Sequence, residues 1–148
     1  MISLVFALTA CNKISSLGGD ANILGNADAL AEAQAELMEL SNYKDQNIKH
    51  FQEISFIHIK ELKDTRITIN LQNPKKPENI DNLTYTNGAW SEPNPVEISG
   101  DGDLGDNVAP LSDIKFEVVA KVFAATVEKA KTLEDGKASD MVMLIFNV

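Results

Sequence analysis

Leu30, Ala33, Leu37 and Leu40 recur at spacings of three and four, with Glu32, Glu36 and Glu39 set among them. This period lines the four apolar side chains along one stripe of a helix, predicting a helix over residues 27–40. Asn26 is placed to cap it, and Asp28 falls in the first turn, where the helix dipole favours a negative charge. A second helical pattern runs over residues 112–133, with Ser112 or Asp113 as cap. Its expected buried face is Phe116, Val119, Phe123, Val127 and Ala130.

Between the helices the period shortens to two. Residues 51–60 carry apolar side chains on both faces: Ile54 and Phe56 beside His58 on one, Ile57 and Ile59 on the other. Such a pattern predicts a central strand. Residues 66–72 alternate cleanly, with Ile67, Ile69 and Leu71 inward, and pair with the preceding strand as a hairpin. Residues 83–90 hold Asn87-Gly88, the residue pair best suited to a type I′ turn, so a second hairpin is expected there. Pro93 and Pro95 interrupt its return, and residues 96–99 resume it at an edge. Residues 141–148 form a nearly unbroken apolar run, read as an interior strand. The predicted fold class is α+β: a mostly antiparallel sheet of four to five strands with two helices packed on one face.

Residues 27–59 and 112–148 both run helix, connector, apolar strand. In that doubled arrangement the domain is loosely similar to PepSY-like or beta-lactamase-inhibitor-protein-like domains. If it is doubled, the second copy stops after its first strand. The expectation is then one domain over residues 26–148 that continues past Val148.

The N-terminus is a different kind of sequence. Residues 2–10 carry no charge, and Leu8-Thr9-Ala10 at their end is followed by Cys11. A Leu, two small residues and a Cys resemble the lipobox of bacterial lipoproteins. The resemblance implies that residues 1–10 are a signal peptide cut between Ala10 and Cys11, and that the Cys11 thiol carries lipid. Met1-Ile2-Ser3 departs from the pattern by lacking the basic residue with which signal peptides usually open. The run is also too short for a transmembrane helix, which needs about 20 apolar residues. Residues 11–25, rich in Ser, Gly, Asn and Asp, read as a flexible tether. Asn12 after the Cys, with no Asp there, resembles the sorting pattern for outer-membrane delivery. The expected location is therefore the bacterial cell envelope, lipid-anchored at the outer membrane.

Charge narrows the partners. The chain is 148 residues long with a net charge of −9, and none of that charge lies in residues 1–10. An acidic surface disfavours nucleic acid, whose phosphates need basic contacts. With a single cysteine, no internal disulfide can form, so stability must come from packing.

No catalytic constellation stands out, no cofactor is implied, and the chain is not expected to be an enzyme. His50 and His58, on one strand, lie roughly 26 Å apart at about 3.3 Å per residue, too far to share a proton or a metal. Asp101, Asp103 and Asp106 resemble the opening of a calcium loop. Gly105 replaces the third ligand, however, and Ser112 stands where the loop's closing Glu belongs. Tyr85 and Trp90, flanking the Asn-Gly turn, are the candidate partner-binding aromatics. The expected function is a lipid-anchored envelope module that binds an envelope protein. The alternatives are an enzyme-inhibitor-like periplasmic domain and a passive structural lipoprotein.

Overall fold

The computed structural model describes residues 22–99, 103–133 and 141–147. Leu8, Ala10 and Cys11, with the expected signal peptide and the expected tether as far as residue 21, lie outside these residues, as does Asp101. The fold is α+β, with two helices on one face of a curled antiparallel sheet.

Helix α1 spans Ala27–Glu39, and the Asn26 side chain accepts from the Ala29 N–H at 3.1 Å, as its position predicts. Leu30, Ala33 and Leu37 are fully buried. The domain begins slightly earlier than expected. Ile23–Gly25 form a 3-10 turn in which Ile23 and Leu24 are buried and join the core. These two apolar side chains bury surface that a solvated linker would leave in water.

Strands β1 (Lys49–Ile59), β2 (Asp64–Gln72) and β3 (Ile80–Thr86) form an antiparallel meander. Short strands extend it: β4 (Ala89–Trp90) and β5 (Asn94–Val96) on β3, and β6 (Val108–Pro110) on β1. The Asn-Gly turn is as expected: Asn87 and Gly88 have φ of 53° and 80°, the left-handed geometry of a type I′ hairpin. Strand β7 (Met141–Phe146) pairs antiparallel with the second half of β1, from Ile54 to Ile59. Strand β1 is thus central, with β2 on one side and β6 then β7 on the other.

The change of partner coincides with a bulge. His50 stands opposite Leu71 and Ile54 opposite Ile69, so β1 carries two more residues than β2 over that interval. Gln52, within it, has φ of 54°, a conformation that costs a non-glycine residue about 1 kcal/mol or more.

Helix α2 is shorter than its apolar pattern. It spans Glu117–Lys131, and residues 111–113 form a separate 3-10 turn, so neither Ser112 nor Asp113 caps it. Its first turn is served from the other helix. Gln34 of α1 accepts from the Phe116 N–H at 2.9 Å and donates to the Ile114 carbonyl at 2.7 Å. One amide thereby satisfies a backbone carbonyl and a backbone N–H on the chain's approach to α2. The core lies between the helices and the inner sheet face, where the Phe56 ring meets Phe116 and Phe146 edge-on at 5.0 and 5.8 Å.

Candidate functional site

Two sequence-level candidates turn out to be structural. Tyr85 is 3% exposed, and its ring sits 5.3 Å from that of Trp90. The Trp90 indole donates to the Ala33 carbonyl at 2.7 Å. This pair therefore ties the β3–β4 hairpin to α1 and is not an exposed ledge for a partner. Tyr85 points inward because it continues the buried face of β3 after Leu83. Burial, together with Glu36 and Glu32 nearby, raises its pKa.

Asp103 is occupied as well. Its carboxylate accepts from the Gly105 N–H at 2.8 Å, capping the 3-10 turn Leu104–Asn107. Asp106 lies within that turn and is exposed. Among the described residues, no three His, Cys, Asp or Glu side chains gather to hold a metal ion. His58 Nδ1 lies 2.8 Å from the Thr65 hydroxyl across the β1–β2 hairpin.

The interior holds two polar features that the sequence reading missed. Tyr43, in the connector after α1, is fully buried and donates to Asp81 at 3.0 Å, and Asn73 donates to the same carboxylate oxygen at 2.8 Å. Burial and this carboxylate both raise the Tyr43 pKa. A signal was present. Tyr43 is the lone aromatic of a polar stretch, and Asp81 is the one acid on the inward side of β3. His50 is 1% exposed, and its Nδ1 has no hydrogen-bond partner among the described residues. Burial lowers its pKa, against the opposing pull of the Gln52 backbone and the Asp113 carboxylate.

Among the described residues, the candidate binding surface is the outer face of the sheet, opposite the helices. It has two halves. On β2 and β3 it is polar and self-satisfied, with Asn82 donating to Asn70 at 2.8 Å and Thr68 opposite Thr84. On β1 and β7 it is apolar. Ile57 lies opposite Met143, Ile59 opposite Met141, and Ser55 opposite Ile145. Met141, Met143 and Ile145 are 51%, 48% and 46% exposed.

This corrects the expectation that residues 141–148 form an interior strand. Val142, Leu144 and Phe146 pack on the core, whereas the alternate residues face outward. The run is unbroken because its outward side is apolar as well as its inward side, with Met143 and Ile145 about half exposed. Together Ile57, Ile59, Met141, Met143 and Ile145 make one contiguous strip with no charged member, the kind of exposed patch that marks an interaction site.

No helix among the described residues is long and apolar enough to cross a membrane. The chain matches no known family model, no curated protein and no solved structure.

Proposed function

We propose that this protein is a lipid-anchored module of the bacterial cell envelope that binds other proteins through the outer face of β1 and β7. The observation that carries the binding reading is the uncharged apolar strip of Ile57, Ile59, Met143 and Ile145 on an otherwise acidic protein. The anchor reading rests on Leu8-Thr9-Ala10-Cys11, whose thiol would take the lipid. A single acyl chain binds a membrane only marginally, so the anchor needs the two or three chains that lipoprotein maturation supplies. The acidic surface favours protein partners over nucleic acid and anionic lipid.

Two measurements test the reading. Cells fed a labelled fatty acid should incorporate it into the wild-type protein and not into Cys11→Ala; an unlabelled wild type removes the anchor. A photo-crosslinking residue at Met143 should trap a discrete protein adduct in the envelope, while one at Glu128, exposed on α2, should not. Absence of any adduct at Met143 removes the binding surface.

A further inference from the structure

The negative charge of this chain is unevenly spread over its two helices. Helix α1 carries Asp28, Glu32, Glu36 and Glu39 and no basic residue. Helix α2 carries Lys121, Lys129 and Lys131 against Glu117 and Glu128, and Lys115 stands just before it. The helices also stand over different parts of the sheet. The Trp90 indole on β4 ties α1 to one margin, whereas Phe116, at the start of α2, packs edge-on against Phe56 of the central strand β1.

Helix α2 has an outward flank as well as a buried one. Val118, Val122, Ala125, Lys129 and Leu133 follow at spacings of four, three, four and four, which aligns them along the helix. Val118 and Val122 are each 38% exposed, and Leu133, just past the last turn, is 58% exposed. Thr126, beside them, turns its hydroxyl back to the Val122 carbonyl at 2.8 Å and so presents no unpaired donor. Lys129 is the charge of this flank. It forms no ion pair among the described residues, and neither do Lys115 and Lys121. At roughly 100° per residue, Glu117 and Glu128 lie about 120° and 100° round the helix from Lys129, so no carboxylate stands on the flank itself.

We infer that this flank of α2 lies against the phospholipid bilayer to which the chain is anchored, its apolar side chains at the headgroup boundary and its lysines on anionic headgroups. This rests on the proposed Cys11 anchor and adds the face that the anchored domain turns to the lipid. Three features single that face out. The first is composition. Apolar side chains bordered by lysine are what an interfacial helix presents, and a lysine can lay its stem on apolar surface while its ammonium reaches a headgroup. The second is charge. An anionic surface repels α1 and attracts α2, so it orients a domain whose net charge of −9 gives it no overall affinity. The apolar strip on β1 and β7 lacks that selection, because Arg66 and Asp64 beside it pair with each other at 3.1 Å. The third is attachment. The chain from Cys11 enters the domain through Ile23–Gly25, which packs on α2: a Cβ on Gly25 would lie 3.6 Å from the Phe123 ring. From Cys11 to Asn22 the chain reaches at most about 40 Å, which holds α2 beside the bilayer. Lipid and lysines together supply the two signals that stable anchoring takes.

The test uses the mature lipidated protein, made in cells fed a labelled fatty acid and reconstituted in vesicles of phosphatidylethanolamine and phosphatidylglycerol. With the Cys11 thiol taken by lipid, one introduced cysteine carries an environment-sensitive fluorophore. At Val122→Cys its emission should shift to the blue and be quenched by brominated acyl chains. At Glu36→Cys, exposed on α1, it should do neither. Lys121→Glu with Lys129→Glu should remove most of the quenching at position 122 while the anchor keeps the protein on the vesicles. A urea midpoint matching the parent's shows that this variant still folds. Phosphatidylcholine in place of phosphatidylglycerol should lower the quenching in the same way.

No quenching at Val122→Cys, or equal quenching at Glu36→Cys, overturns the inference and leaves the anchor standing. So does quenching that the paired charge reversal does not lower. Quenching at Met143→Cys in place of Val122→Cys gives the lipid to the β1–β7 strip and overturns it too. A wild type that takes up no fatty acid removes the anchor, and this inference with it.

Discussion

Gln34 joins two helices through a single amide, accepting at the Phe116 N–H and donating to the Ile114 carbonyl. Gln34→Ala strands both backbone groups near the core, and the expected loss of unfolding free energy is about 1–3 kcal/mol. Urea denaturation should show it as a lower midpoint at unchanged slope. Asp81 poses the same question with a charge. Tyr43→Phe removes one of its two donors and should destabilise by about 1–3 kcal/mol, checked in the same way. His50 brings in pH. Its folded pKa lies below the ordinary 6.5 because burial penalises the imidazolium. Between those two values the unfolded chain binds the extra proton, so stability is fully present above pH 6.5 and declines as pH falls toward the folded pKa. An unfolding series from pH 8 downward should show that decline, and His50→Gln should remove its share. Neither the Gln34 bridge nor the Tyr43–Asp81 bond was legible in the sequence. Each joins residues far apart in the chain, and local pattern carries no record of which distant group a polar side chain will meet.

Elements were more legible than partners. The meander of β1, β2 and β3, helix α1 and its Asn26 cap, and the Asn87-Gly88 turn follow from period and turn chemistry, both of which act over a few residues. Errors arose where tertiary structure decided. Helix α2 starts at Glu117, where Gln34 of α1 holds the preceding backbone at Ile114 and Phe116, and β7 carries a run that reads alike whether its outer side is buried or bare. The short strand β6 has too few residues to show a period. Within β1 the bulge at Gln52 divides the segment paired with β6 from the segment paired with β7. Its left-handed conformation makes the site selective. Gln52→Val, which brings a β-branched side chain to φ of 54°, should lower stability by about 1 kcal/mol or more, whereas Gln52→Gly should be neutral or mildly stabilising. Thermal melts of the two variants should move apart in that order.

For the molecule as a whole, the candidate surface was half legible. The apolar Ile57 and Ile59 stand out in the sequence on the second face of β1, and Tyr85 and Trp90 stand out beside the turn, but only the structure shows that Tyr85 is buried and that Trp90 is bonded to α1. Strand β7 also has a temporal meaning. Ile54 of β1 pairs with Phe146, most of the chain away, whereas β1, β2 and β3 are joined by neighbouring turns. Loop closure makes the distant pairing the slow one, so the meander forms first and β7 docks late. While the chain is still being made, the side of β1 from Ile54 to Ile59 is an open template carrying Ile57 and Ile59. A chain ended after Lys131 should keep that template permanently, aggregate at concentrations where the parent stays clear, and show it as rising turbidity on refolding. Synthesis thus exposes one apolar strand edge of β1 and only later lays β7 beside it.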